Sequence, residues 1–201
     1  MKLCLVGWSF HGTPVELRDH LSLGETAQLE LADRLWNRLG VRELVILSTC
    51  NRFEVYCAGC EESSGTILKS LVEDFGEAQL ESTAYHLEDI EVVRHLFRVT
   101  SSLDSMVLGE PQIFGQVKDT YRFYADAGWT GKLLNPIFTK AFRAAKRVRS
   151  ETGIASNAVS ISYAAIQLAR QIFEDLSGLS VLVVGAGEMA ELALKYLVRN
   201  G

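Results

Sequence analysis

The sequence predicts an α/β chain in two parts. Residues 1–155 read as an α+β domain with a small antiparallel sheet and a helical subdomain. Residues 156–201 read as a linking helix and the first strand–turn–helix unit of a parallel sheet. Three observations lead there. The first 87 residues alternate strand-length apolar runs with helical periodicities. From Glu88 to Phe173 the apolar spacing is helical almost throughout. Near the end, Ser180-Val181-Leu182-Val183-Val184 is a continuous apolar run, as in a strand buried on both faces, and a glycine turn follows it.

Lys2-Leu3-Cys4-Leu5-Val6 opens the chain as a strand. Thr13-Pro14-Val15-Glu16 has the pattern of a capping box with proline at the first helical position, and Val15, Leu17 and Leu21 give that helix a buried side. A second helix spans Glu25 to Leu39, with Leu29, Leu31, Leu35 and Leu39 on a helical period and Gly40 as its stop. Leu44–Leu47 and Phe53–Tyr56 are strands, Thr66–Phe75 a helix, and Thr83–Leu87 a strand. That order suits a small antiparallel sheet with helices on one face.

The helical subdomain begins at Glu91–Thr100, with Ile90, Val93, Leu96 and Phe97 as its stripe. Pro111 opens a helix that runs to Gly128, and Asn135-Pro136 opens another carrying Ile137, Ala141, Ala144 and Val148. Ala158–Phe173 is a further helix, and the boundary between the two parts falls near Glu151–Asn157. After the last strand, Gly185-Ala186-Gly187-Glu188-Met189-Ala190 is a G-x-G-x-x-A turn leading into a helix over Glu191–Arg199. That context suits a Rossmann-like dinucleotide site: Gly185 permits the tight turn, Gly187 lets backbone approach a pyrophosphate, and the helix N-terminus supplies unpaired N–H groups. One strand and one helix do not make a doubly wound sheet, so the chain reads as cut within its cofactor domain.

The 201 residues carry 48% apolar and 22% charged residues, ordinary for a soluble globular protein. No apolar run reaches membrane-spanning length and the N-terminus lacks a signal-peptide pattern, which makes the cytoplasm the expected location. A net charge of −5 provides no global basic field toward nucleic acid, though a local patch remains open. Cys4, Cys50, Cys57 and Cys60 read as reduced thiols rather than a disulfide framework.

The chemistry concentrates in Ser48-Thr49-Cys50-Asn51-Arg52, a turn between two strands. A thiolate attacks acyl carbonyls, Arg grips a carboxylate bidentately, and Thr and Asn orient polar substrates. The competing reading of Cys50 is a small buried hydrophobe. Other features have equally plain alternatives. His95 borders an apolar stripe and suits a core hydrogen bond. Cys57-x-x-Cys60 lacks a second pair and reads as incidental thiols rather than a metal site. Lys140, Arg143, Lys146, Arg147 and Arg149 form either a solvated helix face or a phosphate-contacting one. Ser105 and Gln112 stand where helix caps also fall.

Thr49-Cys50-Asn51-Arg52, His95-Leu96-Phe97-Arg98-Val99, the block from Ser102-Leu103-Asp104-Ser105 through Gly109-Glu110-Pro111-Gln112 to Gln116, and Lys146-Arg147-Val148-Arg149 before Glu151-Thr152-Gly153-Ile154 together resemble glutamyl-tRNA reductase over essentially the whole chain. The resemblance implies NADPH-dependent reduction of glutamyl-tRNA(Glu) to glutamate-1-semialdehyde, the first committed step of tetrapyrrole synthesis from glutamate. It implies catalytic roles for Cys50, as the nucleophile forming a glutamyl thioester, and for His95. It places Thr49, Asn51, Arg52, Ser105, Glu110, Pro111, Gln112 and Gln116 around the glutamate, and Gly185, Ala186, Gly187, Glu188, Met189 and Ala190 at the NADP cofactor, with no metal. It further implies charged tRNA(Glu) and glutamate-1-semialdehyde aminomutase as partners, and a homodimer whose dimerisation region is absent from this stretch. One loop departs: the family's His-x-Thr-Ala-Pro is here Phe10-His11-Gly12-Thr13-Pro14, its histidine one place later, and His11 receives no role. The alternative is a fragment that binds or hydrolyses glutamyl-tRNA without reducing it.

Overall fold

The structure, a computed structural model, describes residues 2–154 and 161–200. Four strands, β1 (Lys2–Ser9), β2 (Glu43–Ser48), β3 (Arg52–Cys60) and β4 (Tyr85–Glu88), form one sheet in the order β2-β3-β1-β4. Every neighbouring pair is antiparallel. The helices α1 (Val15–His20), α2 (Glu25–Leu39), α3 (Ser64–Phe75) and α4 (Gln79–Thr83) interleave with the strands. Then come α5 (Ile90–Thr100), α6 (Gln112–Asp126), α7 (Leu134–Glu151), α8 (Ile161–Phe173) and α9 (Glu188–Asn200).

Alternation along β3 decides what lies on each side of the sheet. Phe53 pairs with Trp8 across the ladder, and both rings meet Phe75 of α3, at 5.5 and 6.4 Å. Glu54 and Tyr56 point the other way: Tyr56 stacks edge-on against Phe138 of α7 at 5.7 Å, and Glu54 meets His95 of α5. The expected helices on one face are therefore joined by the helical subdomain on the other. β3 is covered on both sides, and Val55, Tyr56, Cys57 and Ala58 are all buried.

The α2 boundaries agree with the sequence reading, including Gly40 in the left-handed conformation at its end. Ser63 caps α3 by accepting a bond from the Thr66 N–H. Other expectations change. Thr13 caps nothing: its hydroxyl bonds the Thr83 carbonyl at 3.3 Å, Pro14 takes the cap position, and Val15 is half exposed. A carbonyl 70 residues away thus outcompetes the local helix for that hydroxyl. The five-residue α4 has no sequence signal of its own, and β4 starts at Tyr85 rather than Thr83. On α5 the buried residues are Val92, Leu96, Val99 and Thr100, while Ile90 is exposed, because the helix docks one residue out of the expected phase. Residues 180–184 form no strand among the described residues, and Leu182 and Val184 are 87% and 90% exposed. A continuous apolar run takes strand form only beside a partner, and none is adjacent here. The boundary expected near residues 151–157 lies partly outside the described residues.

Candidate active site

The turn joining β2 to β3 presents Cys50. Its backbone is tied from several sides. The Thr49 N–H bonds the Arg52 carbonyl at 2.8 Å, and the Thr49 hydroxyl oxygen accepts from the N–H groups of Asn51 and Arg52 at 3.3 and 3.2 Å. Phe10 donates its N–H to the Asn51 carbonyl at 3.0 Å, and Arg18 reaches the Cys50 carbonyl at 3.4 Å. A threonine whose hydroxyl gathers the following N–H groups is a self-contained turn device. It fixes the main chain and leaves the Cys50 side chain exposed.

Facing this turn are the loop between α5 and α6 and the first turns of α6. Together they enclose a cleft of about 350 Å³ of empty space, open to solvent. Thr49, Cys50, Asn51, Arg52, Ser105, Glu110, Gln112 and Gln116, all singled out from the sequence, line it. Gln112 and Gln116 do so because residues four apart share a helix face. Pro111 is the N-cap residue of α6 and does not line the cleft, whereas Met106 and Ile113, absent from the sequence reading, do. The loop is closed at its neck: the Ser102 hydroxyl, with its backbone at φ 60°, donates to the Glu110 carbonyl at 2.6 Å, and the Gly109 N–H bonds the Ser102 carbonyl at 3.0 Å.

Behind the turn lies a buried charge network centred on Glu54, which is fully enclosed. Its carboxylate accepts from Arg52 Nη1 at 2.6 Å, Tyr56 Oη at 2.6 Å, Tyr85 Oη at 2.5 Å and His95 Nε2 at 2.8 Å. Burial by itself would push this acid up; the charges of Arg52 and His95 and the bonds from His95 and Tyr56 outweigh it and hold the carboxyl well below the usual range. Burial and the negative charge of Glu54 push both tyrosine hydroxyls up, so they remain donors. For Arg52 burial is the largest single influence and works against the charge, but Glu54, together with Tyr85 and Tyr56, outweighs it and holds the guanidinium above its ordinary value. An ionised Glu54 can only accept, so His95 carries a proton on Nε2.

Arg52 has a second carboxylate partner. Its Nη2 bonds the Asp104 main-chain carbonyl and lies 3.2 Å from Asp104 Oδ2. Asp104 Oδ1 in turn is 3.5 Å from His11 Nε2 and 3.9 Å from Arg98 Nη2. His95 therefore stands beside Glu54 and outside the cleft lining, and Arg52, next to the thiol in sequence, is likewise turned onto acids. Glu54, Tyr56, Tyr85 and Asp104 are network members to which the sequence reading gave no role, and His11, left without one, stands at the edge of the network.

Of the basic helix, Lys140, Arg143 and Lys146 are exposed, Arg147 pairs with Glu151 at 2.9 Å, and Arg149 reaches the Gly109 and Glu110 carbonyls at 3.5 and 3.3 Å. Among the described residues no group of three His, Cys, Asp or Glu side chains could hold a metal ion. The glycine turn lies apart in sequence and makes none of the cleft. Gly185 has φ 117°, a conformation that favours glycine, and a Cβ on Gly185 or Gly187 would meet nothing within 4 Å. The Gly187 carbonyl accepts from the Ala190 and Glu191 N–H groups at the start of α9. Open glycine backbone leading into a helix start fits a phosphate group.

An accessible thiol on a pinned turn, a polar cleft and a buried ion network come together in one α/β domain. The family model described as glutamyl-tRNAGlu reductase, N-terminal domain, matches residues 6–152, and the chain belongs to that family. A second model, shikimate/quinate 5-dehydrogenase, matches residues 167–201. The glutamyl-tRNA reductase of Syntrophus aciditrophicus (strain SB) is 47% identical over 207 residues, covering 100% of this chain and 49% of that protein. That of Aquifex aeolicus (strain VF5) is 44% identical over 201 residues, covering 100% and 50%. Among solved structures, the glutamyl-tRNA reductase from Methanopyrus kandleri aligns with a TM-score of 0.69 at 35% identity, covering 99% of this chain and 47% of that one. The chain spans about half the length of the curated relatives it matches. Among the described residues no helix is long and apolar enough to cross a membrane.

Proposed function

We propose that residues 1–155 form the catalytic domain of a glutamyl-tRNA reductase and that residues 156–201 begin its NADP-binding domain. The observation that carries this reading is an exposed Cys50 opening onto a polar cleft beside Arg52, in a chain of this family. The substrate is glutamate esterified to tRNA(Glu). An aminoacyl ester is already activated, so transfer to a thiol needs no further activation. Cys50 attacks the ester carbonyl as the thiolate: a C–S bond forms, the C–O bond to the tRNA ribose breaks, and the departing hydroxyl takes up a proton. Thr49, Asn51, Ser105, Gln112 and Gln116 supply polar contacts for the amino acid, and Arg52 attracts its side-chain carboxylate. His95, oriented by Glu54 through Nε2, leaves Nδ1 as the nitrogen able to exchange a proton. A nicotinamide cofactor, when bound, would supply a hydride to the thioester carbonyl carbon, and the aldehyde would form as the C–S bond breaks and Cys50 leaves as the thiolate. The turn at Gly185, Ala186 and Gly187 would hold its pyrophosphate.

Mass spectrometry after mixing with glutamyl-tRNA tests the reading. A glutamyl adduct on Cys50, absent from Cys50→Ser although that variant still binds the tRNA, is the expected result. An adduct elsewhere, or a Ser variant acylated at the wild-type rate, overturns it.

A second reading is favoured by one contrast. The cleft is assembled within residues 2–154, while residues 180–184 have no strand partner among those described. On that reading this stretch of chain hydrolyses glutamyl-tRNA through the same thioester and consumes no NADPH. Release of glutamate from the adduct at an unchanged NADPH absorbance would establish it.

A further inference from the structure

Arg52 sits between two acids that are built very differently. Glu54 is enclosed, holds four donors, and has nowhere to go. Asp104 belongs to the loop between α5 and α6, with its side chain 16% exposed, and its carboxylate lies between Arg52 and two outer groups, His11 and Arg98. His11 and Arg98 are 60% and 57% exposed and lie within 4 Å of Asp104 Oδ1. The loop's position does not depend on the Asp104 carboxylate, since Ser102, Gly109 and Glu110 tie its neck and the Asp104 main-chain carbonyl bonds Arg52 independently.

A substrate carboxylate arriving at Arg52 would be the third acid around one guanidinium. Two acids already share that guanidinium, and a further like charge in a partly desolvated place is costly. Glu54 cannot yield, so Asp104 is the group that must. We infer that Asp104 is an internal competitor for the substrate's carboxylate. It occupies Arg52 in the empty cleft and withdraws onto His11 and Arg98 when a carboxylate ligand enters. The inference rests on the reading that Arg52 receives that carboxylate. In this arrangement Asp104 is a positioning residue: it keeps a buried guanidinium paired and aimed while no ligand is bound, and it sets the affinity for the acid that replaces it. His11, left without a role by its displaced position in the sequence, becomes part of the place to which Asp104 retreats.

The test is protection of Cys50 from iodoacetamide by glutarate, a five-carbon dicarboxylate, with the alkylated cysteine identified by peptide mass. It needs neither tRNA nor reduction. In Asp104→Asn the half-protecting glutarate concentration should fall by at least about fivefold, and in Arg98→Gln it should rise. Opposite signs are the signature, because a purely structural role for both residues would weaken protection in both. Protection unchanged or weakened in a folded Asp104→Asn protein overturns the inference. Should that variant fail to fold, the His11→Asn, Arg98→Gln double variant decides: a raised half-protecting concentration supports the withdrawal and an unchanged one overturns it. Wild-type protection without the Asp104→Asn gain rejects the competitor alone. Absence of wild-type protection rejects carboxylate reading by Arg52 and the competitor with it, while the glutamyl adduct on Cys50 tests acyl transfer separately.

Discussion

The ring of Tyr85 occupies the place where a side chain on Gly7 would stand: a Cβ there would lie 2.6–2.8 Å from the ring carbons and hydroxyl. Gly7 is paired with Glu54 on one side and Tyr85 on the other, so the ring crosses the bare strand to reach the acid. Gly7→Ala should therefore lift Tyr85 off Glu54. The expected loss of stability is about 1–3 kcal/mol, the range for overpacking. Tyr85→Phe, which keeps the ring and removes only the hydroxyl, should cost about 1 kcal/mol. Urea unfolding of the two variants and of their combination measures the coupling, and additive losses would break the proposed link.

Glu54→Gln leaves the buried Arg52 and the half-buried His95 beside a neutral group. Breaking a buried ion pair in this way should cost about 3–5 kcal/mol. The sign of the pH effect follows from the depressed acid. Its stabilisation is complete above the unfolded value of 4.5 and is lost as pH falls below that toward the folded value. Wild-type stability should drop steeply below about pH 4.5, and the Gln variant should show a shallower slope there. Parallel slopes in denaturant titrations across pH 2–7 would contradict the assignment.

Glu43 carries a helix start rather than a reaction. Its two carboxylate oxygens accept from the N–H groups of Gly131, Leu133 and Leu134, at 2.7–3.2 Å, where α7 begins. Glu43→Ala should cost about 1–2 kcal/mol, as for a lost N-terminal cap, and should lower the melting temperature without altering Cys50 alkylation. A change in alkylation with an unchanged melt would be the wrong pattern.

The exposed cations of α7 separate from the engaged ones. Arg143→Glu together with Lys146→Glu should weaken tRNA binding and reduce the slope of log K against log salt by about 2. Arg149→Gln should instead disturb the Gly109–Glu110 segment it bonds. Equal salt slopes for wild type and the double variant would return Arg143 and Lys146 to the status of a solvated face.

These relationships show what could be read before any coordinates. Helix α2 was legible to its last residue because period, length and a stopping glycine agree. The Cys50 turn was legible because two apolar runs bracket five polar or reactive residues. Glu54 was not, since an acid alternating with apolar residues reads as the wet side of a strand. It is buried only because α5 and α7 arrive on that side from more than 35 residues away. Thr13 misled for a related reason: a cap pattern is local, and the carbonyl that claimed its hydroxyl is not. The cleft's apolar lining at Met106 and Ile113 carries no chemical signature, and only packing reveals it.

The two-sided character of β3 bears on how such a chain can change over generations. One residue gained or lost inside that strand would trade the positions of Glu54 and Tyr56 with those of Phe53 and Val55, sending ions into hydrocarbon and aromatic bulk among ions. Length variation in descendants is therefore barred from β3 and falls instead to loops that carry no part of the cleft.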